Sequence, residues 1–221
     1  MALGTGAVSS VTSSNSDSSF RVVAPGADIT ITGPASSSGD VIVDPSDSSA
    51  IGTDGIRFGE LEFADLPLVY VNDVDGMVEI QVAAELGVNH GNVGQVCTVT
   101  NNSSSTDYDV GFTYTGYGDT VTNGPSAVDA SVAQKTFQLV DGSDSTQYSP
   151  TGGGSTPSTR FTLSGSGSSK NIDLSINASH SELVDNLAND GTFDQDQSGT
   201  GFSSTSYSLI EEVTADATES A

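Results

Sequence analysis

The sequence predicts an all-β protein, an antiparallel β-sandwich that is jelly-roll-like, with at most one short helix. Apolar segments with polar residues at alternate positions recur from Phe20 to Val213, and a period of two is typical of strands with one buried face. Turn-forming clusters separate them at intervals of roughly ten residues, which suits a sandwich or barrel. Only residues 181–187 have apolar positions at helical spacing, with Ser181 as the expected N-cap.

Composition divides the 221 residues into three parts. Residues 1–19 are mostly Gly, Ala, Ser and Thr and predict a flexible N-terminal arm. Residues 20–214 carry the predicted strands and are expected to form a single β-sandwich domain, a simpler interpretation than two small domains, because similar strand-like segments recur throughout. A domain of this length can bury roughly 70% of its unfolded surface, so it needs no disulfide or metal to form a core. Residues 215–221 predict an acidic tail.

The first predicted strands lie at residues 21–24, 27–32, 41–43, 56–63 and 66–71. They are separated by turn signals such as Pro25-Gly26. The dipeptide Asp75-Gly76 follows, and beyond it Val78 and Ile80 occupy alternate positions. An Asp-Gly pair flanked by alternating apolar residues predicts a tight hairpin turn.

Residues 92–117 predict two strands joined by a polar loop, and we expect these strands to pair as a hairpin. In the second strand one face carries Tyr108, Val110, Phe112 and Tyr114. In the first strand, Cys97 lies on the inward face. As the sole cysteine it excludes a disulfide within the chain, and it reads as a small buried hydrophobe. Later strands are predicted at 136–140, 161–163, 172–176 and 207–214, with a long mobile loop at 141–158.

The charge of the chain is strongly negative. Five Lys plus Arg stand against 29 Asp plus Glu, which gives a net charge of −24. Such a surface repels nucleic acids and anionic membranes, so no nucleic-acid partner is expected. No apolar run reaches the 18 residues of a membrane span. Acidic residues scattered among Ser, Thr and Gly indicate a halophilic surface, since molar salt screens self-repulsion.

No catalytic constellation stands out, and the chain is predicted not to be an enzyme. The two histidines, His90 and His180, both lie beside loop residues. No Gly-x-Ser-x-Gly elbow and no zinc-spaced histidine pair is present.

Metal binding is the stronger chemical candidate. One Asn- and Gly-rich segment carries Asp185, Asp190, Asp194 and Asp196. Hard oxygen ligands in a flexible loop suit Ca²⁺, the one cofactor considered, although the spacing differs from an EF-hand. A second candidate is Asp73 with Asp75. The alternative for both groups is solvated loop aspartates on a halophilic surface.

Three Asn-x-Ser sequons are candidates for N-glycosylation, at Asn101, Asn102 and Asn177. They agree with a secreted protein. The N-terminal arm also has two interpretations: a flexible tail, or a donor strand that adds to a groove in a neighbouring subunit through main-chain hydrogen bonds.

Four short motifs resemble those of haloarchaeal secreted surface proteins of the TasA/camelysin-like and archaeal bundling-pilin type. They are ALGTGAVS at residues 2–9, YVNDVDGMVEI at 70–80, VCTVTNN at 96–102 and LIEEVTADA at 209–217. The resemblance implies a secreted jelly-roll-like sandwich that polymerises into fibres at the cell surface or in the biofilm matrix. It also implies that the donor strand contains Ala2, Leu3, Thr5, Ala7, Val8 and Val11.

The expected function is therefore a structural subunit of a pilus-like extracellular filament or surface matrix, a homopolymer joined by donor-strand complementation in high salt. The alternative is a non-polymerising secreted surface module that binds calcium or glycans. Both place the protein outside the cell, with its signal peptide removed.

Overall fold

The computed structural model describes residues 19–26, 28–34, 39–46, 48–52, 55–57, 60–61, 63–74, 76–157, 159–187 and 209–220. The chain is mostly β, with 49% of it in strands, so the predicted all-β fold class is confirmed. The jelly-roll arrangement stays a prediction.

Thirteen strands are present in the described residues. They are β1 Ser19–Val23, β2 Ile29–Thr32, β3 Asp40–Val43, β4 Ile51–Gly52, β5 Gly55–Ile56, β6 Leu68–Val74, β7 Met77–Ala83, β8 Asn89–Asn101, β9 Tyr108–Tyr117, β10 Phe137–Asp141, β11 Phe161–Leu163, β12 Ser169–Asn177 and β13 Ile210–Glu219. The short helices are α1 Asp119–Thr122, α2 Ala130–Thr136 and α3 Ser181–Leu187, with a 3₁₀ turn at Phe63–Asp65.

Two main sheets form the sandwich. The seven-stranded sheet has the order β11-β9-β13-β1-β7-β6-β3, and the four-stranded sheet has the order β10-β12-β8-β2. The strands β4 and β5 form a separate small pair. Among the described strands, β1 and β13 make the one parallel pair, and every other pair is antiparallel.

The core lies between the two sheets, where the apolar face of each strand points inward. The rings of Phe20 on β1 and Phe137 on β10 join the sheets, with centroids 5.9 Å apart. The hydroxyl of Tyr114 on β9 also donates to the backbone carbonyl of Phe137. Burial of such side chains is the main stabilising contribution, about 25 cal/mol per Å² of apolar surface.

A second apolar cluster covers the outer face of β6 and β7. It contains Ala50, Ile56, Leu61, Leu68, Tyr70 and Ala83. The predicted strand at 56–63 is wrong, because Ile56 is the only one of its described residues in a strand and Glu60 N donates to the Arg57 carbonyl in a turn. Leu61 is nevertheless buried, because the turn folds this segment onto the sheet.

The two predicted hairpins have different outcomes. β6 and β7 pair as expected, with Val74 opposite Met77 and Gly76 in the left-handed region at φ +81°. The predicted pairing within residues 92–117 is wrong, because β8 belongs to the four-stranded sheet and β9 to the seven-stranded sheet. The loop between them therefore crosses one end of the sandwich. Alternation determines which face of a strand is buried, but it does not choose the partner strand.

The described residues contain three short helices, whereas the sequence predicts at most one. α3 occupies the predicted residues, but its first amide groups donate to the His180 carbonyl, so Ser181 is not the cap. α2 begins after Asp129, whose side chain accepts from Val132 N at 3.1 Å. Both α1 and α2 are too short for an apolar period of 3.6 residues to be visible in the sequence.

Two segments predicted to lie outside the core are part of the sandwich. β13 continues to Glu219, so the predicted acidic tail is strand up to that residue. Within the predicted mobile loop at 141–158, residues 148–150 are packed: Tyr148 is buried, its N–H donates to the Leu139 carbonyl at 2.9 Å, and its own carbonyl accepts from Phe112 N at 2.8 Å. The segment thus hydrogen-bonds to both sheets.

The Asp141 carboxylate anchors this segment. It forms an ion pair with Lys170, and it accepts hydrogen bonds from the Ser143 N–H and from the Tyr148 hydroxyl, both at 2.8 Å. The contact with Lys170 is the largest cause that lowers the pKa of Asp141, and the bonds from Ser143 add to it. The pKa of this carboxyl is about 3.9 in the unfolded chain, so its lower pKa in the folded protein stabilises the fold at pH values above about 3.9. This contribution is lost as the pH falls through the folded pKa.

We expect the Lys170→Met variant to lose about 1–3 kcal/mol of its free energy of unfolding at pH 7, because the buried carboxylate loses its cationic partner. The loss should largely disappear when Asp141 is replaced by Asn, because no carboxylate then needs a cationic partner. Urea denaturation of the single and double variants at pH 7, in the same molar salt, measures both effects. Lys135→Met, at a lysine for which no ion pair is seen among the described residues, is the matched control. An equal loss from Lys170→Met in both backgrounds would contradict the assignment.

Candidate functional site

The candidate site lies where β1 ends and β13 continues. β1 occupies the centre of the seven-stranded sheet, between β7 and β13, and it directly follows the predicted N-terminal arm. The pairing of β1 with β13 ends at Val23 opposite Thr214. β13 extends to Glu219, so its last five residues, 215–219, pass beyond the end of β1. We call residues 215–219 the β13 ledge.

The ledge presents backbone groups away from β9. Ser220 N donates to the Asp107 carbonyl at 2.9 Å, which makes these two residues a hydrogen-bonded pair. Since such pairs alternate along antiparallel strands, the N–H and C=O groups of Ala217 and Glu219 point to the side where β1 would lie if it were longer. Within the described parts of the chain, no strand pairs with the ledge on that side.

An open pocket of about 270 Å³ lies beside the ledge. It is lined by Pro25, Gly26, Asp28, Ile29, Tyr108 and Ala217. Ala217 and Tyr108 come from one sheet and Ile29 from the other, so the pocket opens between the two sheets at the end of the sandwich. The Pro25-Gly26 turn takes the chain from β1 across to β2 and forms one wall of the pocket.

A hydrogen bond across the pocket fixes its rim. The Tyr108 hydroxyl donates to Asp28 Oδ2 at 2.9 Å, and Asn102 N donates to the Asp28 carbonyl at 2.7 Å. The bond to the Asp28 carboxylate is the main cause that raises the pKa of Tyr108. On the outer face of the ledge, Arg160 forms an ion pair with Asp216. The site therefore offers a backbone edge, a small apolar pocket and an acidic rim, which together suit an extended polypeptide.

The predicted donor strand, with Ala2, Leu3, Thr5, Ala7, Val8 and Val11, lies outside the described residues. The sequence alone does not assign the acceptor groove to particular strands. One signal was present, because Val213, Ala215 and Ala217 alternate with polar residues and so continue the strand pattern into the predicted tail.

The predicted calcium site is mostly outside the described residues, since it includes Asp190, Asp194 and Asp196. Asp185 is exposed on α3. In the second candidate group, Asp73 accepts from Gly33 N at 3.1 Å, and Asp75 is outside the described residues. The residues that the structure describes contain no group of three or more His, Cys, Asp or Glu side chains that could hold a metal ion.

Cys97, His90 and two of the sequon asparagines are the remaining side chains to place. Burial raises the pKa of the Cys97 thiol to about 12, so it is protonated at neutral pH. His90 Nε2 accepts from Glu85 N at 3.2 Å, and burial lowers its pKa. Two of the predicted sequons differ sharply in exposure: Asn101 is fully buried, whereas Asn102 is exposed.

Comparison with protein-family models, with curated proteins and with solved structures finds no match for this chain. Within the described residues, no helix is long and apolar enough to cross a membrane.

Proposed function

We propose that the protein is a structural subunit of an extracellular filament or surface matrix, in which the N-terminal segment of one copy adds as a strand to the next copy. The observation that carries this proposal is the β13 ledge, an open backbone edge beside a pocket between the sheets. Open edges of this kind pair readily with another extended chain.

The dimensions of the arm suit the ledge. A strand rises about 3.3 Å per residue, so residues 215–219 span about 17 Å and the ten residues 2–11 span about 33 Å when extended. Leu3, Thr5 and Ala7 alternate with Gly4 and Gly6, so a strand made of them would present leucine, threonine and alanine side chains on one face and glycines on the other. Such side chains suit the open pocket lined by Ile29, Ala217 and Pro25.

The charge distribution favours the same pairing. Residues 1–16 contain no Asp or Glu, although the chain has 29 of them. An uncharged strand can approach the acidic rim around Asp28 and Glu219 without like-charge repulsion. Main-chain hydrogen bonds and apolar contacts also persist in molar salt, which screens ion pairs.

Strand addition of this kind produces a filament. The donor segment and the ledge are different parts of the surface, so the contact is head-to-tail. A head-to-tail contact that does not close into a ring continues from copy to copy. The partner is therefore a further copy of the same chain.

Deletion of residues 1–12 should abolish fibres while leaving the folded domain intact. Negative-stain electron microscopy of the full chain and the deleted chain, in the same molar salt, tests this. The full chain should form fibres, the deleted chain should be monomeric, and both should have the same far-UV circular dichroism.

Point variants provide a matched control for the deletion. Ala7→Asp lies inside the donor segment and should prevent fibres, whereas Ser13→Asp lies outside it and should not. Monodisperse monomers from the full chain would overturn the proposal and favour the non-polymerising calcium- or glycan-binding module. Fibres from the deleted chain would show that another contact drives assembly.

A further inference from the structure

We propose that Asn177 carries an N-linked glycan and that it is the one of the three sequons so modified. This inference goes beyond filament assembly and requires only that the chain is exported. The sequons begin at Asn101, Asn102 and Asn177. Sequence alone does not distinguish them, but the three amide groups have different surroundings.

Asn101 is incompatible with a glycan in this fold. Its side chain is 0% exposed, and its Nδ2 donates to the carbonyls of Thr106 at 2.8 Å and Leu163 at 3.0 Å. Its Oδ1 accepts from Ser103 N at 2.9 Å. A saccharide on Nδ2 would replace one of these bonds and would have to occupy space at the buried end of β8. We therefore infer that Asn101 is not the acceptor.

Asn102 is exposed, but its amide nitrogen is already engaged. Asn102 Nδ2 donates to the Thr30 hydroxyl at 2.9 Å, across to β2. No hydrogen bond among the described residues joins Asn102 to the Ser104 hydroxyl, the other essential group of its sequon. Modification there would remove a side-chain bond between β8 and β2.

At Asn177 the two essential groups of the sequon, the amide and the hydroxyl, are hydrogen-bonded to each other. Its Oδ1 accepts from both Ser179 N at 3.1 Å and the Ser179 hydroxyl at 2.6 Å. No hydrogen bond of Asn177 Nδ2 is seen among the described residues, so this nitrogen is available. The hydroxyl bond to the amide oxygen draws electron density toward that oxygen, which makes an Nδ2 proton easier to remove.

Asn177 is half-buried and lies on the solvent-facing side of its strand. Asn177 ends β12, and together with Asn171, Asp173 and Ser175 it lies on the outward side of the strand, while Ile172, Leu174 and Ile176 are buried. The next residues, Ala178 and Ser179, lead to α3, and Ser179 is exposed. A glycan here would project from the outer face of the four-stranded sheet.

The reaction is a transfer from a saccharide linked to a polyprenyl phosphate. The Nδ2 of Asn177 forms a bond to C1 of the sugar as the bond from C1 to the phosphate oxygen breaks. The amide loses one proton, and the lipid phosphate leaves with the bonding electron pair. Atoms and charge therefore balance without an oxidant or a reductant.

Intact-mass and peptide mass spectrometry of the chain secreted by cells that N-glycosylate their surface proteins tests the proposal. We expect a saccharide on the peptide that contains Asn177 and none at Asn101 or Asn102. Asn177→Gln and Ser179→Ala should each remove the whole mass increment, whereas Ser179→Thr and Asn102→Gln should retain it. Circular dichroism of the variants confirms that each is folded.

Two results would overturn the assignment: a saccharide at Asn101 or Asn102, or an unmodified chain from cells whose other secreted proteins carry N-glycans. Neither result bears on fibre formation, which is measured separately on the same preparations.

Discussion

Replacing Phe20 by alanine should lower the free energy of unfolding by about 3–5 kcal/mol. Phe20 is 1% exposed in β1, and its ring contacts that of Phe137 in the opposite sheet. The truncated side chain would leave a cavity between the two sheets, next to the central strand of the seven-stranded sheet. Because the total stability of a domain is about 5–15 kcal/mol, this is one of the largest effects that a single substitution can have here.

Urea denaturation in molar salt measures this loss, with Thr32→Ala as the control. Thr32 is exposed on the edge strand β2, so its truncation should change the free energy of unfolding by about 0.5 kcal/mol or less. A loss below about 1 kcal/mol for Phe20→Ala would contradict the placement of β1 in the sheet centre.

Replacing Ala217 by arginine should abolish fibre formation while the donor arm is intact. Ala217 lies half-buried on the β13 ledge and lines the pocket, so a long charged side chain there would fill the space that the donor strand needs. Electron microscopy and light scattering in molar salt would detect only monomers. The fold should persist, because the pocket is open and the arginine head can reach solvent.

Thr218→Arg is the matched control for this variant. Thr218 is the next residue on the ledge, but it is exposed on the opposite face of the sheet. It adds the same charge without entering the pocket, so this variant should form fibres like the unaltered chain. Loss of fibres in both variants would show that the added charge, and not the filling of the pocket, prevents assembly.

The faces of the strands could be predicted from the sequence, because inward and outward residues alternate within a few positions. Val110, Phe112 and Tyr114 are buried on one side of β9 as the pattern indicates. The partners of the strands could not be predicted in this way. β1 pairs with β13 from the other end of the chain, with Arg21 opposite Glu212, and no local pattern encodes such a contact.

The candidate site depends on that long-range pairing. The ledge exists because β1 stops at Val23 whereas β13 continues to Glu219. In the sequence, residues 215–221 are rich in Thr, Ala, Asp and Glu, so they resemble a solvated tail. Their strand conformation results from pairing with β9, which supplies hydrogen bonds that a tail would lack.

Mixing two variants, each able to provide only one half of the contact, tests strand donation most directly. The chain without residues 1–12 keeps the ledge but lacks the donor, and the Ala217→Arg chain keeps the donor but has a blocked ledge. Size-exclusion chromatography with light scattering, in molar salt, should show monomers for each variant alone and a one-to-one complex when they are mixed. Monomers in the mixture, under conditions in which the unaltered chain forms fibres, would contradict strand donation to the β13 ledge.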